Sequence, residues 1–360
     1  MEHIHTIEQG WTLEDDFRRV EAWLSVGIDD ILDVSVPWGR DGDVTWRDKR
    51  IAASGTETYP VLVREYETPS GPLRHAVRQT GEECGEGWVT QPEQVELIED
   101  YNIPRGAEHA VSSPSDVMVL KHLYAGPNEV EKAWFAERVK KVKKFADEKG
   151  VLVQAWSGFG MDAAVWFCGT EGAIMMAMDY PDAFGRLMET IAATDYARTE
   201  LAASTDGVDM IVERGWYSST DFWSPSLFDK FVYPHVKNLA SVAHKYGKKF
   251  GYTMTTGVEI LGERLANAGV DVLYFIDPVQ DGISLERVRY LLSGRMTLVG
   301  GTNALSLTSG DAVRIGREVR HAVETLGPTN RFILHPVDAI FPDTPWEGVE
   351  QMIETWKECR

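Results

Sequence analysis

Cysteine is scarce. The 360 residues contain three, Cys84, Cys168 and Cys359, far apart and with no CxxC spacing. That excludes a disulfide scaffold and a structural zinc cluster, and it points to reduced thiols in a cytoplasmic setting. Long apolar runs are missing as well. None approaches the roughly 18 residues of a membrane span. The opening MEHIHTIEQGW has no basic n-region and no apolar h-region, so no secretory signal is expected. Positive charge is in short supply: Lys+Arg 36 against Asp+Glu 56 leaves a formal net charge of −20. Nucleic acid, which needs a basic stripe, is excluded as a partner. A polyanionic substrate is disfavoured unless arginines and lysines cluster locally. No GxGxxG follows a strand-like run and no GxxxxGK[ST] occurs, so nucleotide-phosphate cradles are not indicated. No Pro-, Gly- or Ser-rich linker marks a domain boundary.

What is present is a repeating pattern, clearest in Lys248–Pro278. The apolar run Phe250–Met254 ends in Thr255-Thr256-Gly257. An amphipathic segment with Leu261, Leu265 and Ala268 at helical spacing follows, and Gly269 stops it. Val272–Ile276 is a second apolar run, ending at Asp277-Pro278. Strand, helix, glycine, strand is the unit of a parallel sheet with crossover helices. Further strands are predicted near residues 151, 208, 296 and 332. Helices are predicted over Val130–Lys149, Gly169–Met178, Pro181–Ala203, Pro225–Tyr246, Leu285–Leu292, Asp311–Leu326 and Trp346–Glu358. Gly207-Val208-Asp209 repeats Gly269-Val270-Asp271, a quasi-repeat that Gly150-Val151 echoes. The fold class is therefore α/β. Six βα units are visible, and a closed (β/α)8 TIM barrel needs two more strands from the N-terminal third. An open doubly wound sheet is the alternative.

The N-terminal third reads differently. Thr12–Ser25 is an amphipathic helix with Thr12 as N-cap, and Ile31–Val36 is a short apolar run. Residues 61–82 form β-hairpins around Thr68-Pro69-Ser70-Gly71. Glu82–Gly87 is loop, and Pro92–Tyr101 and Ser115–Leu123 are helix or strand. We divide the chain into 1–127, an N-terminal extension with the first barrel elements and a hairpin excursion, and 128–360, the barrel body, together one structural domain. The aromatic N-terminal third, with Trp38, Trp46, Tyr66 and Trp88, is placed over a cleft or in a homodimer interface.

In an α/β barrel the C-terminal strand ends converge on the active site. The polar and aromatic residues there are Ser157, Glu213, Arg214, Trp216, Tyr217, Asp221, Tyr252, Met254, Thr256, Asp277, Asn303, His335 and Asp338. Several have plainer readings. Asp277 before proline suits a turn, Asn303 suits a loop cap, and His335 before proline suits a structural histidine. Glu213 is the sharpest, because a carboxylate closing an apolar strand needs a partner or a raised pKa. Glu213, Asp277, Asp338 and His335 on one rim suit general acid–base work or a divalent metal with hard ligands. We take these four as catalytic, and Trp216, Tyr217, Asp221, Tyr252, Met254, Thr256 and Asn303 as substrate-binding. No cysteine lies at a strand end, which argues against a thiolate site. Cys168, in VWFCGTE, reads as a small buried hydrophobe.

Four motifs resemble the uroporphyrinogen decarboxylase superfamily. They are SP-x-LF-x-x-F-V-x-P-H in Ser224–His235, glycine-valine-aspartate before a strand, GGTN after one, and P-D-T-P in Pro342–Pro345. The likeness spans roughly residues 128–358 and implies a (β/α)8 barrel with its cleft at the strand C-termini. One branch of the superfamily decarboxylates a porphyrinogen without a cofactor and carries an arginine-rich R-Q-A-G-R loop. Here the nearest text is Arg78-Gln79-Thr80-Gly81-Glu82, whose last position is acidic. A substrate with many carboxylates needs guanidinium forks. The other branch moves methyl groups to or from a corrinoid cofactor, with zinc held by H-x-C-G and a late cysteine. Here those positions read Met254-Thr255-Thr256-Gly257 and a residue near Asp338.

The resemblance thus implies a methyltransferase, corrinoid- or folate-linked, that acts on a small-molecule substrate without a thiolate zinc site. A cobalamin, a corrinoid-binding protein or a divalent metal would be its cofactors and partners. The alternative is a cofactor-independent decarboxylase of a porphyrinogen or related aromatic or pyrrolic acid. A barrel glycosidase using Glu213 and Asp338, or a non-catalytic binding protein, fits less well.

Overall fold

The computed structural model describes residues 4–6, 12–80, 95–99, 102–337, 339–341 and 343–360. Glu82–Gly87 with Cys84, Trp88, Asp338 and Pro342 lie outside the described residues, as do the ends of Pro92–Tyr101. The chain forms two compact units: residues 1–22 with 31–208, and residues 23–30 with 209–360.

The first unit opens with α1, Leu13–Ser25. Thr12 and Asp15 close its N-terminus: the Asp15 N–H donates to Thr12 Oγ1 (3.3 Å) and the Thr12 N–H to Asp15 Oδ2 (2.7 Å). Strand β1, Ile31–Ser35, follows. Next come β2 (Thr45–Ile51), β3 (Val61–Thr68) and β4 (Gly71–Arg78). After them stand α2 (Asn102–Arg105) and β5 (Gly106–Glu108). Strands β2 to β5 form an antiparallel sheet in chain order. In it Thr68 pairs with Gly71, so β3 and β4 are joined by the two-residue turn Pro69-Ser70. The segment Ser115–Leu123 yields one short helix, α3, Val117–Leu120.

Helix α4, Glu129–Lys149, starts at a capping box made by Asn128 and Glu131 and ends at Gly150, whose φ of +74° suits glycine. Strand β6 (Leu152–Gly158) pairs in parallel with β1, Ile31 facing Leu152. Three helices complete the unit: α5 (Gly160–Cys168), α6 (Thr170–Asp179) and α7 (Pro181–Ser204). Helix α5 was not expected. All nine of its residues are buried, so it has no polar face and its sequence carries no amphipathic period.

The second unit is the regular part. Its elements are β7 (Met210–Glu213), α8 (Pro225–Phe231), α9 (Tyr233–Lys245), β8 (Lys249–Thr253), α10 (Val258–Ala268) and β9 (Val272–Ile276), followed by α11 (Leu285–Leu292), β10 (Thr297–Asn303), α12 (Ala304–Thr308), α13 (Ala312–Leu326), β11 (Phe332–Val337) and α14 (Trp346–Cys359). Strands β7 to β11 are parallel and neighbours in chain order. Leu307, Ile315, Val319 and Met352 pack α12, α13 and α14 together.

Two expectations are corrected. The long helix over Pro225–Tyr246 is two helices, broken at Val232, because Pro234 has no N–H and its ring clashes with the carbonyl four residues back. Eight parallel strands were expected, and the described residues hold seven: β1 and β6 in the first unit and five in the second. Among the described residues the N-terminal third supplies one parallel strand, not two. Its remaining strands went to the antiparallel sheet. No described helix is long and apolar enough to cross a membrane.

Candidate active site

The strand ends of the second unit carry the acidic and aromatic residues singled out from sequence. Glu213 is the last residue of β7, level with Tyr252 of β8, and it is buried. The chain turns sharply after it. The Gly215 N–H donates to Thr253 Oγ1 (3.0 Å), and the Gly215 carbonyl accepts from Ser218 Oγ (2.7 Å). Ser218 Oγ also meets the Tyr252 hydroxyl at 2.6 Å. A side chain at 215 would strike Tyr252: a Cβ there would lie 2.4 Å from the ring. Glycine is thus the residue that lets Tyr252 stand under this turn.

An aromatic row runs from this turn across the unit. The Arg214 guanidinium sits 4.6 Å from the Trp216 ring. Trp216 meets Phe275 of β9 at 5.7 Å, and Phe275 meets the imidazole of His335 in β11 at 5.5 Å. Strand β10 lies between β9 and β11. At this level it offers Gly300 and Gly301, so no β10 side chain separates Phe275 from His335. A Cβ on Gly300 would lie 2.5 Å from the Ile276 backbone.

His335 Nδ1 is buried with no hydrogen-bond partner. Burial pushes the imidazole pKa below its ordinary value, against the opposing pull of the Pro336 backbone and of Asp30. Burial thus favours the neutral ring and opposes its protonation.

The other expected residues are engaged in holding loops. Asp277 Oδ1 accepts from the N–H groups of Val279 (2.8 Å) and Gln280 (3.1 Å), and its Oδ2 accepts from Asn303 Nδ2 (2.7 Å). Asn303 Oδ1 in turn accepts from the Leu305 N–H and caps α12. Asp277 and Asn303 thus tie the end of β9 to the end of β10. Thr256 Oγ1 donates to Asp221 Oδ2 (2.7 Å), joining the loops after β8 and β7. Met254 and Tyr252 are buried, and the Tyr217 carbonyl accepts from Trp223 Nε1.

Asp281 was missed. It accepts from the N–H groups of Gly257 (2.7 Å) and Val258 (3.1 Å) and so caps α10 from 24 residues away, a pairing no local pattern announces. Burial raises its pKa, its two backbone bonds oppose this, and Asp221 and Asp277 raise it further.

Ser157 belongs to the first unit. Its hydroxyl meets Thr199 Oγ1 (2.7 Å), and its carbonyl accepts from Arg198 Nη1 (2.7 Å). Arg198 also donates to the carbonyls of Val36 (2.8 Å) and Trp156 (3.3 Å), and it pairs with Asp195 (3.3 Å). Asp195 accepts from the N–H groups of Phe159 and Gly160 and from the Tyr124 hydroxyl. The sequence did hold a signal for this network. Ile191, Asp195, Arg198 and Ala202 share the buried stripe of α7, and two charges on such a stripe require partners.

The profile of the uroporphyrinogen decarboxylase (URO-D) family matches residues 94–359. The chain belongs to this family. Its match begins well before residue 128, where the motifs alone had placed it. A methyltransferase from Methanosarcina mazei shares the fold, with a TM-score of 0.52 and 18% identity over 61% of this chain and 63% of that one, so the likeness spans less than two thirds of that protein. An apo 3-keto-D-glucoside 4-epimerase from E. coli is matched with a TM-score of 0.37 and 13% identity over 71% of this chain and 96% of that one. Comparison with curated proteins gives no match.

Two features set this member of the family apart from the patterns named above. Arg78, where the arginine-rich loop would begin, is already engaged: it donates to Glu57 (2.8 and 3.2 Å) and to the Gly106 carbonyl (2.6 Å). Met254 and Thr256 stand where a zinc-binding H-x-C would stand, and neither supplies an imidazole or a thiolate. The two described cysteines lie on α5 and α14, away from any strand end. The thiolate zinc centre does not fit these residues. Among the described residues no three His, Cys, Asp or Glu side chains gather as a metal-holding set.

Proposed function

We propose that this URO-D family chain is a methyltransferase that moves a methyl group between a small acceptor and a corrinoid or folate carrier, without a zinc-bound thiolate. The observation that carries the reading is the engagement of Arg78 by Glu57 and Gly106. It leaves no guanidinium fork at that position for a substrate with many carboxylates. The aromatic row Trp216–Phe275–His335 instead offers a run of rings tilted against one another, with one guanidinium, Arg214, over its first ring. Such a surface suits a small, largely apolar ring compound.

The carrier, as co-substrate, would supply an electrophilic methyl group. For transfer onto an acceptor X–H, the acceptor must lose its proton as X forms its bond to carbon and the carrier leaves with the former bonding pair. His335 is assigned to accept that proton and, in the reverse direction, to return it to the leaving atom, a role that the charge developing in the site must support against burial. Glu213, buried at the end of β7, is proposed as the second acid–base group and Asp338 as a third. Asp277 is assigned a positioning role, through Asn303. A corrinoid-binding protein as partner and a homodimer belong to the same proposal.

Methylcobalamin, mixed with the purified protein and a panel of phenolic, amine and thiol acceptors, tests this reading. Acceptor-dependent loss of the methylcobalamin absorbance with a methylated product is expected. No transfer to any acceptor, together with CO₂ release from uroporphyrinogen, would overturn it. A second reading, decarboxylation of a small aromatic acid, is favoured by Arg214 on Trp216, since one guanidinium suits one carboxylate. CO₂ release from such an acid would be its signature.

A further inference from the structure

The first unit holds a second set of chemically poised side chains, outside the strand ends of the second. Asp41, His122 and Ser70 stand in line. Asp41 Oδ2 is hydrogen-bonded to His122 Nδ1, and His122 Nε2 lies 2.7 Å from Ser70 Oγ. The direction of both bonds follows from the chemistry of the groups. A carboxylate only accepts, so Nδ1 carries a proton, and in the tautomer with that proton alone Nε2 presents a lone pair to the serine hydroxyl. That is the nucleophile–base–orienter order of a hydrolytic triad, reached from three distant stretches of chain.

The arrangement is held by backbone as well as by side chains. The Asp41 N–H donates to the His122 carbonyl (3.0 Å). Two residues before Asp41, Gly39 exchanges both backbone bonds with Ala125, at 2.8 and 3.0 Å. Ser70 sits on the β3–β4 turn, where its N–H donates to Thr68 Oγ1 (3.2 Å) and Thr68 Oγ1 donates to the Gly71 carbonyl (2.7 Å). The His122 side chain is 11% exposed and Asp41 is half-exposed, while Ser70 is open to solvent. The base is thus sheltered and oriented, and the nucleophile is within reach of a molecule arriving from water. Asp41 and Ser70 both precede residue 94, where the family match begins, and only His122 lies within the matched range.

We propose that Ser70, His122 and Asp41 form a second active centre that cleaves small activated esters. Ser70 Oγ attacks the ester carbonyl and passes its proton to His122 Nε2. The bond from carbonyl carbon to the leaving alcohol breaks, and that alcohol takes the proton from His122. Water then attacks the acyl–serine, giving its proton to His122, which returns one to Ser70 as the acid is released. One ester and one water become one acid and one alcohol, with no change of oxidation state. Asp41 is a positioning residue that accepts from His122 Nδ1 and holds the ring in place.

The test is labelling of the intact chain with a fluorophosphonate probe, read by mass spectrometry. Modification at Ser70 is expected, abolished in Ser70→Ala and slowed about 100-fold in His122→Gln, the scale of general-base catalysis. Asp41→Asn should slow it similarly and Asp41→Glu restore part of it, which a merely structural contact would not do. Because Asp41 is half-exposed, its variants remain informative if His122→Gln fails to fold. Ser70 reacting no faster in the folded chain than in urea, or labelling unchanged in Asp41→Asn, would overturn the proposal.

Discussion

His75 shows how much a single buried side chain can govern. It lies in β4, almost wholly enclosed, opposite Arg64. Burial, then the neighbouring His109, and then Arg64 and Arg105 push its pKa from 6.5 to about 4, with the Glu96 backbone opposing in part. The unfolded chain therefore binds this proton more readily than the folded one between those two values. Stability is full above pH 6.5 and falls as the pH drops toward 4. One pKa unit corresponds to about 1.4 kcal/mol, so the loss reaches about 3 kcal/mol. His335, lowered in the same direction, adds to the same acid limb. Urea midpoints measured from pH 7 to pH 4 should fall for the native chain, and His75→Leu should flatten most of that fall. An equal slope in both would remove His75 as the cause.

Elements in this chain are fastened by buried polar side chains as much as by apolar packing. Arg198 of α7 reaches the carbonyls that follow β1 and end β6, while Asp195 caps the start of α5. Arg198→Met would strand Asp195 as an uncompensated buried charge, and breaking such a pair costs about 3 to 5 kcal/mol. A large fall in melting temperature is the expected result, and Asp195→Asn combined with Arg198→Met should cost less than the sum of the two alone.

At this same scale the sequence was legible where the period was clean. The strands near 151, 208, 250, 272, 296 and 332 all exist, because each apolar run is short and bounded by glycine or polar residues. It was illegible where tertiary context decides. Helix α5 is buried all round and shows no period. The N-terminal third mixes one parallel strand with an antiparallel sheet, and its pairing partners lie far along the chain. At the site, the row from Trp216 to His335 depends on a glycine pair in β10, which reads in sequence only as GGTN. Asp277 was read both as a turn residue and as a catalytic carboxylate, and its bond from Asn303, 26 residues away, was not visible in the local pattern.

For the whole molecule, the −20 charge and the family membership set the frame within which the site works. The chain repels polyanions at long range, and Arg78, which opens its nearest counterpart of an arginine-rich loop, is engaged by Glu57 and the Gly106 carbonyl. The family's shared region includes the five parallel strands of the second unit, with Glu213 closing the first of them. That carboxylate is the residue on which the account turns. The direct measurement is turnover of Glu213→Gln beside the native protein, on whichever substrate the native protein is found to turn over. A kcat lower by about 100-fold or more, with the melting temperature nearly unchanged, is the predicted result for a lost acid–base group. Equal turnover in the folded variant would contradict it.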